Sequence, residues 1–438
     1  MTPNQTDRLC DRNAHFSRRT LLGAGASGLF LSQLSRALAR ADETGVTDRG
    51  RPLSVILLWL EGGPSQLETF DPHPGSAIGG ETKAIATSVD GIEIADTLPQ
   101  VAEQMQLASL VRSVTSKEGD HQRAVYNVKT GFRPDPTLIH PSIGAVVCQS
   151  DPGESDIPRH ISIVPGGSPG RGGYLGGAFD AFKMGDPAGP VPDVRRPVGK
   201  DRYDKRIDDL YDVVEAEFRR GRLANLDANR TLHRTATDAA LRMMSSDQLA
   251  AFDVSAESRS VLDAFGDSAF GRGCLAASRL IEAGTRCVEV TLGGWDSHIN
   301  NHSLQSSACA KLDPALASLL VRLRDRDLLA STLVVCGGEF GRTPTINPAG
   351  GRDHWPHGFS TLLAGCGIRP GTVYGETSPD PKLDRKNPMQ DVAEVTTVAD
   401  LHATILAALG VPYGEELYTP IGRPMKRSEG TPIGSLLS

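Results

Sequence analysis

Hydrophobic positions along this chain fall into two patterns: short, almost unbroken apolar runs that stop at glycine, and longer stretches with helical period. Residues 53–60 are the clearest of the first kind, broken by Glu61-Gly62-Gly63-Pro64-Ser65. A run of that length predicts a central parallel strand buried on both faces. Residues 287–292 stop in the same way at Gly293-Gly294, and residues 333–336 at Gly337-Gly338. Residues 107–114, 160–164 and 359–368 predict further strands. Between them lie helical stretches. Residues 125–131 end at Gly131, and residues 138–148 follow. Residues 201–263 hold two or three amphipathic helices, residues 271–284 another, and residues 396–410 the last. Residues 303–330 place leucines 312, 316, 319, 320, 323 and 328 roughly in helical register. This alternation predicts an α/β/α fold of three layers around a mostly parallel central sheet. Open sheets of that kind place their sites beyond the C-terminal ends of the strands.

Two stretches stand outside the alternation. Near the N-terminus, Arg18-Arg19 is preceded by Ser17 and followed by Thr20-Leu21-Leu22. A mildly apolar segment interrupted by Gly23, Gly25 and Gly28 comes next, then small-residue cleavage sites at residues 37–39 or 39–41. This is the pattern of a twin-arginine export signal over residues 1–41, with a polar linker over 42–52 and a single domain over 53–438. The apolar segment is too short and glycine-rich to span a bilayer, and no other stretch reaches that length. The expectation is export, to the periplasm or beyond, of a chain with no transmembrane span in its mature form. The second stretch, residues 165–197, is rich in Gly and Pro, yet carries Tyr174, Phe179, Phe182 and Met184. Its length predicts a functional lid or substrate-side surface.

Composition narrows the partners. A chain of 438 residues, 39% hydrophobic and 23% charged, with net charge −7, has no electrostatic call for nucleic acid. None of the seven cysteines forms a C-x-x-C pair, so a zinc ribbon or thioredoxin-like site is not expected. Cys148, Cys287 and Cys336 lie in apolar runs and read as buried small hydrophobes.

Candidate chemistry gathers at strand ends. Asp296 and His298 follow the run at 287–292 and can put a carboxylate and an imidazole on one cation. Glu339 ends the run at 333–336, with Arg342 beside it, and Glu61 ends the first run. Asp353, His354 and His357 surround Trp355-Pro356, with Arg352 just before them. Arg342 and Arg352 are candidates for holding an anionic substrate. His121 opens the helix ending at Gly131, a candidate nucleophile, acid/base or ligand, and Arg123 is a candidate anion contact. Ser65 is a candidate hydroxyl nucleophile without the surrounding elbow motif.

These segments together resemble a family: the twin-arginine-exported "domain of unknown function 1501" group, similar to sulfatases and alkaline phosphatases. The resemblance rests on SRRTLL, LWLEGGPSQLETFDPHPG, HQRAVYNVKTGFRP, RHISIVPGG, GGWDSHINNH, CGGEFGRTPTIN and GRDHWPHGFS, which follow one another over nearly the whole chain. It implies an alkaline-phosphatase/sulfatase-like fold and hydrolysis of sulfate or phosphate esters around a divalent metal: zinc, calcium or manganese. It implies Glu61 or Asp71 near the first carboxylate ligand, and Asp296 and His298 as an Asp…His pair. It places Glu339 near a further Asp, and His354 or His357 near the last histidine. Aligned on Thr130-Gly131, His121 occupies the nucleophile position, where sulfatases carry Cys or Ser. Phe340 stands where the parent pattern has a metal-binding histidine, and the first strand ends in Glu61 rather than an Asp pair. The expected partner is an anionic ester or polysaccharide. The alternative is a non-catalytic protein of the same fold that binds anionic polysaccharide or a protein partner.

Overall fold

The computed structural model describes residues 53–438 except 152, 154, 221–231 and 385. The twin-arginine segment and linker expected over residues 1–52 lie outside the described residues. Among the latter, nine strands form one central sheet. They are β1 (Ser54–Glu61), β2 (Ala108–Thr115), β3 (His160–Ile163), β4 (Phe182–Met184) and β5 (Cys287–Gly293). β6 (Thr332–Gly337), β7 (Phe359–Gly365), β8 (Val373–Tyr374) and β9 (Thr396–Thr397) complete it. The order is β8-β2-β7-β6-β1-β5-β3-β4, with β9 also beside β2.

β1 pairs in parallel with β5 and β6, β3 with β5 and β4, and β2 with β8 and β9. β7 alone runs antiparallel, between β6 and β2. The strands β1, β2, β3, β5 and β6 therefore all end on one edge. The mostly parallel α/β sheet expected from the sequence is the one observed; the reversal of β7 was not legible, because an apolar run carries no direction.

Helices cover both faces. They are α1 (Pro99–Ala102), α2 (His121–Thr130), α3 (Ile143–Ser150), α4 (Lys200–Arg220), α5 (Leu232–Met243), α6 (Arg259–Ala264), α7 (Ala269–Glu282), α8 (Asn301–Asp325) and α9 (Val398–Ala408). β1 divides its side chains between two cores. Ile56, Leu58 and Leu60 pack with Leu275 and Leu280 of α7 and Leu312, Leu316 and Leu320 of α8. Val55 and Leu57 pack with Ile143 and Val146 of α3 and Leu401 and Ile405 of α9. Each such fully buried aliphatic side chain contributes roughly 1.5–3 kcal/mol. All six cysteines among the described residues are free and buried. No helix among them is long and apolar enough to cross a membrane.

Local chemistry sets the boundaries. α3 starts at Ile143 rather than near residue 138, because Ser142 accepts a hydrogen bond from the Ala145 N–H and caps the helix. The expected loop at 165–197 is partly sheet, since β4 pairs with β3 at the edge. α2 begins at the cap Asp120, which accepts from the Arg123 N–H at 3.2 Å, and stops at Gly131 with φ +79°. A Cβ on Gly131 would lie 2.9 Å from the His402 ring, so glycine is required there twice over. His402 of α9 donates from Nε2 to the Val128 carbonyl at 2.6 Å, tying α9 to the last turn of α2.

Burial pushes the His402 imidazole down to about 4. The folded state holds the ring neutral, whereas the unfolded chain takes a proton near pH 6.5. Stability from this group is therefore complete above about pH 6.5 and is lost as pH falls toward 4, on the order of 3 kcal/mol in all. Denaturant midpoints should fall across that window in the native chain and fall less in His402→Gln. Equal pH slopes in the two proteins would remove His402 as the source.

Candidate metal centre

The sheet edge where β1, β2, β5 and β6 end carries the candidate site. Gly62 follows β1 with φ +118°, and a Cβ there would lie 2.7 Å from the Asp296 backbone nitrogen. The glycine thus lets the loops after β1 and β5 touch backbone to backbone, bringing Asp296 over the end of β1. A short antiparallel ribbon, Gly341–Arg342 against His354–Trp355, folds the chain back after β6 and delivers His354. His121 arrives as the first residue of α2, just after β2.

Three imidazoles converge on Asp296, and each is pinned from behind. His121 Nδ1 bonds Glu339 Oε1 at 2.8 Å, His298 Nδ1 bonds Asp353 Oδ1 at 2.7 Å, and His354 Nδ1 bonds the Gly119 carbonyl at 2.8 Å. A carbonyl or a carboxylate only accepts, so each neutral ring carries its proton on Nδ1. The bare Nε2 atoms then face the carboxylate. His354 Nε2 is 3.3 Å and His298 Nε2 3.1 Å from Asp296 Oδ1, and His121 Nε2 is 3.5 Å from Oδ2. The Nε2 atoms of His298 and His354 stand 3.0 Å apart.

Such a gathering of lone pairs around a carboxylate repels itself unless a cation or shared protons sit among them. The fit to a metal is good on two observations. Asp296 Oδ1 and the Nε2 atoms of His298 and His354 lie 3.0–3.3 Å from one another, and a donor atom of His121 lies within 4.8 Å of those of Asp296 and His354. The contacts of Asp296 with the imidazoles also match the spacing of roughly 3.3 Å expected between ligands of four-coordinate zinc, from metal–ligand bonds of ~2.0–2.1 Å. Carboxylate- or carbonyl-anchored imidazoles are the usual support of such ligands.

The surroundings set the charge state. Glu339 is wholly buried; its Oε1 also accepts the Gly62 N–H at 2.9 Å, while Oε2 has no hydrogen-bond partner. Its hydrogen bond raises the His121 pKa above the ordinary value. Burial lowers that of His354. Burial alone would raise the Asp296 carboxyl, but the guanidinium of Arg342 at 2.6 Å, with His121 and His298, holds it below the usual range. Phe340 is wholly buried beneath the rings, with centroids 4.9 Å from His121 and 4.4 Å from His354. A residue that cannot bind metal thus serves as an apolar floor for those that can.

Other candidates lie elsewhere. Arg342 is wholly buried and bonds the carbonyls of Gly62, Gly63 and Arg352 besides Asp296, so it positions the ligand rather than meeting substrate. Arg352 is wholly buried against Glu68 and the carbonyls of Ile78, Thr343 and Pro344. Neither can offer a free guanidinium. Arg123 is paired with Glu118 at 2.6 Å, away from the cluster. His357 packs on Trp355 and makes no contact with Asp296. Asp71 is buried with Arg112 and Thr377, and Ser65 is buried within the loop that follows β1. Glu61 turns from the imidazoles to accept the Gly167 N–H at 2.9 Å.

A cavity of about 700 Å³ opens beside the cluster, lined on one wall by His121, Asp296 and Glu339. Its lining also includes Tyr126, Lys129, His140 and Arg171, none of which stood out in the sequence. A signal existed for two of them: residues 121, 122, 125, 126 and 129 share one face of α2 at helical spacing. Lys129 is not free, since Nζ lies 2.9 Å from the buried Glu289 and donates to the Ser168 carbonyl at 2.6 Å.

A family model described as "Protein of unknown function (DUF1501)" matches residues 53–437. No curated protein matches the sequence. Similar solved structures include an alkaline phosphatase superfamily protein from Vibrio parahaemolyticus, 12% identical, covering 83% of this chain and 67% of that one, with TM-score 0.35. The PsFucS1 sulfatase from Pseudoalteromonas sp. is 10% identical, with coverage of 87% and 72% and TM-score 0.38. The C-terminal periplasmic domain of EcEptC from Escherichia coli, in complex with Zn, is 11% identical, with coverage of 89% and 96% and TM-score 0.38.

The pinned imidazoles make the centre testable without any substrate. Zinc or manganese content by elemental analysis should be stoichiometric in the purified chain, and Asp296→Ala or His354→Ala should lose it. Glu339→Gln should weaken zinc affinity about 10–100-fold, as loss of an anchoring partner does. Unchanged occupancy in Asp296→Ala would remove that carboxylate as a ligand.

Proposed function

The chain belongs to the protein family of unknown function DUF1501, and from that premise we propose that it is an exported, divalent-metal-dependent hydrolase of sulfate or phosphate esters. The observation that carries this reading is the set of three imidazoles, pinned at Nδ1, whose Nε2 atoms face one carboxylate at the edge of a cavity. Asp296, His298 and His354 would hold the metal. An imidazole-rich set suits zinc or manganese; calcium, also expected from the resemblance, prefers oxygen ligands throughout and fits these donors poorly. A bound cation would serve as a Lewis acid toward the ester oxygen and orient the anion.

The chain's own groups supply the proton chemistry. His121 lines the cavity and makes the longest of the imidazole contacts with Asp296, at 3.5 Å, which leaves its Nε2 as the nitrogen free for proton transfer. It accepts a proton there from an attacking water, and Glu339 behind Nδ1 stabilises the imidazolium that forms. The same nitrogen returns the proton to the departing alcohol. Arg342 keeps Asp296 ionised and fixed throughout. The twin arginine at Arg18-Arg19 supports export of the folded chain. A non-catalytic binding role draws support from two sequence departures, His121 at the nucleophile position and Phe340 beside Glu339.

Hydrolysis of aryl sulfates and aryl phosphates by the zinc- or manganese-loaded chain decides between the two. Turnover of one class is expected, with His121→Ala keeping its metal while losing roughly 10²–10⁴-fold in rate. A chain that is inactive on both classes with either metal fails this reading. Loss of metal in His121→Ala would move that residue from proton carrier to ligand.

A further inference from the structure

The cavity has a second wall whose charge is not accounted for by ester hydrolysis. Residues 165–171, the start of the Gly/Pro-rich stretch, cross it as a strap, pinned in three places. Gly167 donates to Glu61, Ser168 accepts from Lys129, and the Arg171 carbonyl accepts from the Ser142 N–H at 2.8 Å. Gly166 lies directly on the Glu61 carboxylate, and a Cβ on Gly170 would lie 2.7 Å from the His160 ring. The strap is therefore held against the cavity by its own backbone.

Every other ionisable group on the cavity already has a partner. Glu61 holds the strap, Lys129 is paired with Glu289, and His121 and Glu339 hold each other. Asp296 faces Arg342, and His140, its pKa lowered by burial, bonds the Tyr126 hydroxyl at 2.8 Å. Arg171 is exposed on the fixed strap, and its guanidinium makes no hydrogen bond or ion pair with a described residue. At about 700 Å³ the cavity is also larger than one sulfate or phosphate group needs, and falls in the range of roughly 300–1,000 Å³ that holds a whole organic ligand. Val125, Ile139 and Pro169 give it apolar surface for the body of such a ligand.

We infer that Arg171 is a specificity residue that binds a second anionic group on the substrate, so that the preferred ester carries two anionic groups, one at the His121/Asp296 cluster and one at the strap. A guanidinium on a fixed backbone presents a planar fork to sulfate, phosphate or carboxylate oxygens with little ordering cost. This rests on the ester-hydrolase reading above for the identity of the first subsite.

The test uses non-hydrolysable probes and the full chain: benzenesulfonate with one anionic group, and a benzenedisulfonate and a naphthalenedisulfonate with two at different spacings. Binding is measured by calorimetry, with zinc and manganese content read on the same samples. The native chain should bind one disulfonate at least about tenfold more tightly than the monosulfonate. Arg171→Ala should lose that preference with metal content unchanged, and Arg171→Lys should keep part of it. Equal affinity for all three probes in the native chain, or an undiminished preference in Arg171→Ala, overturns the assignment. A native chain that holds neither zinc nor manganese fails the hydrolase reading; a disulfonate preference that it still shows, and that Arg171→Ala removes, upholds the strap as the anion site.

Discussion

One buried cation organises the working edge of the sheet. The guanidinium of Arg342 reaches the carbonyls of Gly62 and Gly63 after β1, Asp296 after β5 and the carbonyl of Arg352 in the returning ribbon. A guanidinium taken out of water costs several kcal/mol unless its donors are met, and here each is met by a loop that must be somewhere definite. The three loops are therefore held in one arrangement by the same group. Asp296 gains from this twice: its position is fixed, and its charge is balanced while three imidazoles face it.

The same economy runs through the imidazoles. Glu339, Asp353 and the Gly119 carbonyl each accept a hydrogen bond from an Nδ1–H and so decide which nitrogen faces inward. Phe340 fixes the tilt of two rings from below. Sequence order alone scatters these residues over more than two hundred positions. What gathers them is that β1, β2, β5 and β6 all end on one edge. The α2–α9 contact through His402 ties down the last turn of the helix whose first residue is His121.

The strands were legible because buried parallel strands are nearly continuous apolar runs, and Gly-Gly stops mark where they end. Asp296, His298, Glu339, His354 and His121 were legible as candidates because polar residues just past such stops have few other reasons to be there. The arginines were misread for a physical reason: sequence shows a charge but not its burial. Arg342 and Arg352 look like anion hooks and are instead enclosed against carbonyls and carboxylates. Arg171, in a loop with no periodicity, gave no signal at all, and its significance appears only when its neighbours' partners are known. Glu61 was placed near the first carboxylate ligand by order along the chain, yet its carboxylate accepts from Gly167 in the strap.

Glu61 and Phe340 together bear on how many cations the edge can hold. The family resemblance implies a carboxylate after β1 and a histidine beside Glu339. Here the first carboxylate is occupied with the Gly167 N–H and the second position is an apolar ring. Among the described residues, the donors that do converge form one cluster around Asp296. Glu339 lends its oxygens to Gly62 and His121 rather than to a separate site. Both positions serve structure instead: the Glu61 carboxylate holds the strap that carries Arg171, and the Phe340 ring packs against His121 and His354. The donors that converge are therefore enough for one cation, and the strap guanidinium of Arg171 is a separate positive charge lining the same cavity.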